Sequence, residues 1–243
     1  MNTRNFKTFF LFACSCWLIW TSTSEATPEE RSRGGSGYFM VGGHQLRLSA
    51  LNAALSRHGY PTFSQGFVSL GGGGYGFFNR LMVGGEGHGL LSPDGSRRRG
   101  DFKTSLTAGY GFFDLGYLIV ADGPMRVYPV FGFGGGGLSL KIRPTESLTF
   151  DDVLSDPRRG ATLSTGGLLL NLGFGAEYAF YTGEDGAYRR GLVVGLRVGY
   201  VLAPVKGDWS LEGLDVGGGP DLGITGPYVR LLFGGGRFPK PSP

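Results

Sequence analysis

Residues 168–181, LLLNLGFGAEYAFY, sort their side chains by twos. Leu168, Leu170, Leu172, Phe174, Ala176, Tyr178 and Phe180 take the even positions. Leu169, Asn171, Gly173, Gly175, Glu177, Ala179 and Tyr181 take the odd ones. A period of two places successive side chains on opposite faces of an extended strand and does not fit a helix. One face is apolar and aromatic, the other small or polar. Soluble sandwiches and membrane barrels both use such strands. What separates them is whether the apolar face meets a protein core or lipid.

The alternation recurs along the chain. Leu192, Val194, Leu196, Val198, Tyr200 and Leu202 oppose Gly191, Val193, Gly195, Arg197, Gly199 and Val201. Phe102, Thr104, Leu106, Ala108, Tyr110 and Phe112 oppose Lys103, Ser105, Thr107, Gly109 and Gly111. Arg80, Glu86, His88 and Ser92 oppose Leu81, Val83 and Leu91. Less regular strands are expected at 36–48, 65–78, 125–142 and 225–238. In 125–142 the apolar residues change parity, from Val127, Phe131 and Phe133 to Leu138, Leu140 and Ile142, so a bulge is expected in the glycines at 134–137. Eight strands result. Long connections at 49–64, 93–100, 143–161 and 205–224 alternate with short ones near Asn79, at 122–124 and at 182–188. A short helix is expected in the first long connection. Ser49 would cap its start, Gly59 would end it, and Leu51 and Leu55 share a face.

The polar faces are rich in glycine: the chain has 47 glycines, and only 17% of its residues are charged. A solvated sandwich face would carry more Lys, Glu and Thr. The inward face of a narrow barrel is crowded and suits Gly with a few paired charges. The expected fold is therefore all-β: an eight-stranded antiparallel up-and-down transmembrane barrel with a short helix in its first long loop. A net charge of +4 with scattered arginines does not suggest nucleic acid.

The amino terminus reads as a secretory signal over 1–26. Arg4 and Lys7 precede an apolar run at 9–20, and Ser24-Glu25-Ala26 forms a small-x-small cleavage site. The apolar run is too short for a transmembrane helix. Both cysteines, Cys14 and Cys16, fall inside it, and a lipoprotein site at Cys14 is the lesser alternative. The expected organisation is a leader at 1–26, a tail at 27–35, the barrel at 36–238 and a tail at 239–243.

Signal segment, alternating strands, alternating loop lengths and a last strand GPYVRLLFGGGRF ending on Phe238 together resemble the eight-stranded bacterial outer-membrane barrels. That group includes the OmpA transmembrane domain, OmpX and the lipid A palmitoyltransferase PagP. The resemblance covers 36–238 at the level of layout. It implies an outer-membrane location and outer-membrane lipid as a neighbour. It leaves the partner protein open.

Glu86-x-His88 puts a carboxylate and an imidazole on one strand face. Two readings stand for it. In one, Glu86, His88, Lys103, Asn171, Glu177 and Arg197 form a lumen network, with Glu86 neutralised by Arg80, Arg197 or Lys103. In the other, Glu86, His88 and a serine perform acyl transfer or hydrolysis on lipid. A narrow channel or small-ligand carrier is a third class. No cofactor is expected. The histidines His44, His58 and His88, without cysteine outside the leader, make no metal cluster. GGGGYG at 71–76 lacks the Lys and the helix of a nucleotide loop. Arg97, Arg98 and Arg99, and Arg158 with Arg159, lie in expected outer loops. They are candidates for lipopolysaccharide phosphates or for ordinary solvated loop positions.

Overall fold

The computed structural model describes residues 33–121, 123–145, 149–155 and 160–240. The expected leader, with its cysteines, and the pair Arg158 and Arg159 lie outside the described residues. The strands are β1 (Arg33–Gln45), β2 (Gly66–Phe78), β3 (Leu81–Arg99), β4 (Phe102–Tyr117), β5 (Met125–Pro144), β6 (Ala161–Asp185), β7 (Tyr188–Lys206), β8 (Trp209–Leu211), β9 (Leu214–Val216) and β10 (Gly226–Pro239). Helix α1 is Ser49–Arg57, and α2 is Phe150–Ser155. Strands β1 to β7 pair each with the next, β7 pairs with β10, and β10 returns to β1, all antiparallel. The result is a closed eight-membered ring without a free edge. The β8–β9 hairpin attaches to β6 through Leu163 and Leu211.

The ring shows two regimes along its axis. From the short-turn rim upward, the outer face is apolar: Phe39, Leu81, Phe113, Phe131, Phe174, Leu196 and Phe233 are all exposed. This is the band that lipid covers in a membrane barrel. Toward the long-loop rim the polarity inverts. Leu90, Leu106, Leu138, Leu140, Leu169 and Val201 turn inward and are buried, while Ser96, Lys103 and Arg143 line the outer surface. Strands of 19, 20 and 25 residues in β3, β5 and β6 exceed the roughly 9–11 needed to cross lipid, so their long-loop ends stand above it.

This inversion corrects three expectations. The parity change in β5 needs no bulge: its pairing with β4 and β6 runs unbroken through Gly134–Gly137. Even residues face inward throughout β5, and only the chemistry changes with height. The expected loop at 93–100 is strand. After a register shift between Leu91 and Ser96, β3 continues to pair with β4 up to Arg99 and Phe102, and the chain reverses at Gly100 with φ 58°. The even face of β4 is the inner one, with Thr104, Leu106, Tyr110, Phe112 and Asp114 buried.

Helix α1 closes the outer mouth. Leu51 and Leu55 are buried with Leu46, Phe63, Phe67 and Trp209 in one apolar layer across the barrel. Ser49 is the first helical residue and not the cap; Leu48 holds that position without a side-chain bond. The other end follows the expectation. The amides of Gly59 and Tyr60 donate to the carbonyls of Ser56 and Leu55, with Gly59 at φ 76°, a Schellman stop. Pro129 faces outward just past Gly116↔Val130, where the β4–β5 ladder ends near the short-turn rim.

Candidate functional site

Between the outer apolar layer and a second one near the short-turn rim (Met40, Phe77, Met82, Leu118, Leu232 and Phe238) lies a buried polar band. Its buried ionic groups among the described residues are Glu86, Asp114 and Glu177 against Arg126, Arg197 and Arg230. Each comes from the inward parity of its strand. Of these, Glu86 and Asp114 lie within 4.0 Å of an arginine, while Glu177 is held by tyrosine hydroxyls.

Glu86 on β3 is the hub. Its Oε2 accepts from Nη1 of Arg197 on β7 at 2.5 Å, and its Oε1 from Nη1 of Arg230 on β10 at 2.8 Å. These strands lie across the ring from β3, and only a narrow lumen lets them meet. Arg197 also donates to the Tyr128 hydroxyl at 3.0 Å. Tyr128 and Tyr75 in turn donate to the two oxygens of Glu177. Arg230 donates to the Tyr110 hydroxyl at 2.5 Å and stacks 3.6 Å above the Tyr228 ring. Because a guanidinium only donates, the Tyr110 proton is left for Nδ1 of His44, 2.9 Å away. Tyr228 donates to Asn171 at 2.9 Å. Asp114 stands 3.9 Å from Arg197.

Glycines supply the room for these side chains. A Cβ on Gly199 would lie 2.5 Å from the Tyr228 hydroxyl, and one on Gly175 would lie 2.5 Å from the Tyr128 ring. The glycine-rich polar faces are thus the sockets of the network's tyrosines.

His88 sits beside the hub. Its Nε2 is 3.4 Å from Glu86 Oε1, and its Nδ1 is 3.2 Å from the Ser69 hydroxyl. Serine, imidazole and carboxylate therefore stand in the order that acyl-transfer chemistry uses. Two features oppose that use. Ser69 is 1% exposed, with apolar layers above and below it. The carboxylate is also held by two arginines, which compete with His88 for its charge.

The structure brings together Glu86, His88, Asn171, Glu177 and Arg197. It does not bring Lys103, which lies on the outer wall because β4 is above the lipid band there and carries its polar residues outside. Arg80 is exposed at the β2–β3 turn and donates to the Ile119 carbonyl at 3.3 Å. The sequence reading missed Arg230, Asp114, Ser69 and the tyrosines. Arg230 had a signal: it interrupts the apolar run from Tyr228 to Phe233, opposite in parity to Val229, Leu231 and Phe233. Of the arginine triplet, Arg97 is engaged by Asp94 at 2.6 Å, while Arg98 and Arg99 are exposed.

No family model and no curated protein matches the sequence. Among solved structures the chain is similar to Ail, the attachment invasion locus protein of Yersinia pestis, at 10% identity and a TM-score of 0.44, covering 85% of this chain and 99% of that one. It is similar to neisserial surface protein A at 10% identity and a TM-score of 0.41, covering 86% and 97%. It is similar also to a major outer membrane protein from Thermus thermophilus at 13% identity and a TM-score of 0.39, covering 84% and 99%. The closed ring, its apolar outer band and its polar lumen have the architecture of a small eight-stranded outer-membrane β-barrel.

Proposed function

We propose that this protein is a non-conducting outer-membrane anchor that holds a rigid extension of its own barrel above the lipid, for interaction with neighbouring lipid or another macromolecule. The observation that carries this reading is the filled interior: the Glu86–Arg197–Arg230 hub lies between two buried apolar layers, and α1 seals the outer mouth. An eight-stranded barrel has an interior just wide enough for side chains to fill, which is too narrow for a general aqueous pore. Planar-bilayer recording on the purified protein tests it. The expected result is a silent membrane despite insertion, and stable unitary conductance would overturn the proposal.

The Ser69–His88–Glu86 geometry favours a second reading, a lipid acyl hydrolase or transferase. It requires the lumen to open to an acyl chain. A fluorophosphonate probe distinguishes the two. The anchor reading expects Ser69 to stay unlabelled in the folded protein. Labelling of Ser69 that His88→Ala abolishes would favour the enzyme.

A further inference from the structure

A row of cations crosses the outer wall above the lipid-facing band. Arg98 pairs with Lys103 across the β3–β4 ladder, and Lys103 with Arg143 across β4–β5; one step lower, Ser96 pairs with Ser105, and Ser105 with Lys141. Directly opposed residues project from the same face of a sheet. Here that face is the outer one, since the alternate residues Thr104 and Leu106 are buried inside. Ser96, Lys103, Ser105, Lys141 and Arg143 line a concavity of about 240 Å³. Among the described residues no carboxylate forms an ion pair with Arg98, Lys103, Lys141 or Arg143.

Like charges placed directly opposite one another are unfavourable. Three in one row, with no carboxylate of the described residues paired to them, favour a bound anion. The available groups are guanidinium forks, ammoniums and hydroxyls. Such a donor set matches the oxygens of a phosphate.

Height selects the source of that phosphate. On β5 the outward residues climb from Met125 through Phe131 and Phe133 to Gly135, then to Ser139, Lys141 and Arg143. At ~3.3 Å per residue and a tilt of roughly 40°, an apolar band of about 25 Å that begins at Met125 ends near Gly135. Lys141 then stands about 15 Å higher, above a phospholipid headgroup layer only about 5–8 Å thick. A phosphate carried on a sugar headgroup reaches this level. We propose that the Lys103–Lys141–Arg143 concavity, with Arg98 beside it, binds a phosphate group on the saccharide headgroup of an outer-leaflet glycolipid. This rests on the outer-membrane placement above.

The test is titration calorimetry of the full chain in detergent micelles. The probes are lipopolysaccharide, the same lipid after phosphatase treatment, phosphatidylglycerol and inorganic phosphate. The intact glycolipid is expected to bind at least about tenfold more tightly than the other three, a gap of ~1.4 kcal/mol. The triple variant Lys103→Gln/Lys141→Gln/Arg143→Gln should lose that preference, while Arg33→Gln at the opposite rim keeps it. Equal binding of the dephosphorylated lipid, or an unaltered triple variant, would overturn the site. Equal binding of phosphatidylglycerol or inorganic phosphate would overturn the glycolipid assignment. The wild-type arm decides without any variant. Heat-modifiable gel migration, run in parallel, reports separately on the barrel that the anchor reading needs.

Discussion

Arg197 and Glu86 are separated by 111 residues and meet at 2.5 Å in the middle of the lumen, with both side chains fully buried. Arg230 approaches the other oxygen of the same carboxylate. Breaking such a buried pair from one side strands a charge, at roughly 3–5 kcal/mol. Glu86→Gln and Arg197→Met should each destabilise by about that much in urea unfolding in detergent. The double variant should recover part of the loss, and not all of it, because Arg230 is still left without its carboxylate. Strictly additive losses would show that the two groups are energetically independent.

The glycine sockets make a second prediction. Gly199→Ala and Gly175→Ala push a methyl against Tyr228 and Tyr128 and should cost about 1–3 kcal/mol by overpacking. Gly87 faces outward, and its Cβ would meet nothing nearer than 3.9 Å, so Gly87→Ala should be close to neutral. Unfolding midpoints of the three variants, measured side by side, check the ordering.

Height along the wall should govern the cost of a charge. Phe133 is an exposed residue of the apolar band, and Phe133→Arg should cost about 2–4 kcal/mol when the barrel folds into lipid vesicles. Ser139, on the same face of the same strand, lies beyond the band, and Ser139→Arg should fold almost as wild type. Similar folding yields for both would place the membrane boundary elsewhere.

One tether above the membrane responds to acid. Asp94 accepts from Arg97 and from the Ser64 amide, which holds the end of the α1–β2 connection against β3. These bonds, Arg97 foremost, pull the Asp94 carboxyl down to about 2. A depressed carboxylate contributes stability that is complete above its unfolded value near 4 and is lost as pH falls through the folded value. The Ser64 amide resonance should therefore hold steady from neutral pH to about 4 and move between about 4 and 2. In Asp94→Asn that movement should be absent.

The period of two in residues 168–181 and 191–202 was enough to assign strands and to say which face meets lipid, because both segments stay inside the bilayer over most of their length. Leu196 and Phe174 lie outside and Arg197 and Glu177 inside, as parity requires. The alternating loop lengths were enough for an up-and-down ring, and Leu51, Leu55 and Gly59 for a helix and its stop.

Parity could not place Lys103. A strand that leaves the membrane keeps its geometry while its environment exchanges apolar for aqueous, so the same pattern means opposite faces at different heights. Height is a property of the assembled barrel. The partners of Glu86 were likewise beyond any local pattern. Arg197 and Arg230 become its neighbours only when β10 closes on β1 and a narrow ring carries side chains from opposite walls into contact. The sequence alone determined which residues point together along each strand. Only the closed tertiary structure decided what they point at, since closure sets both the distance across the lumen and the level at which lipid ends.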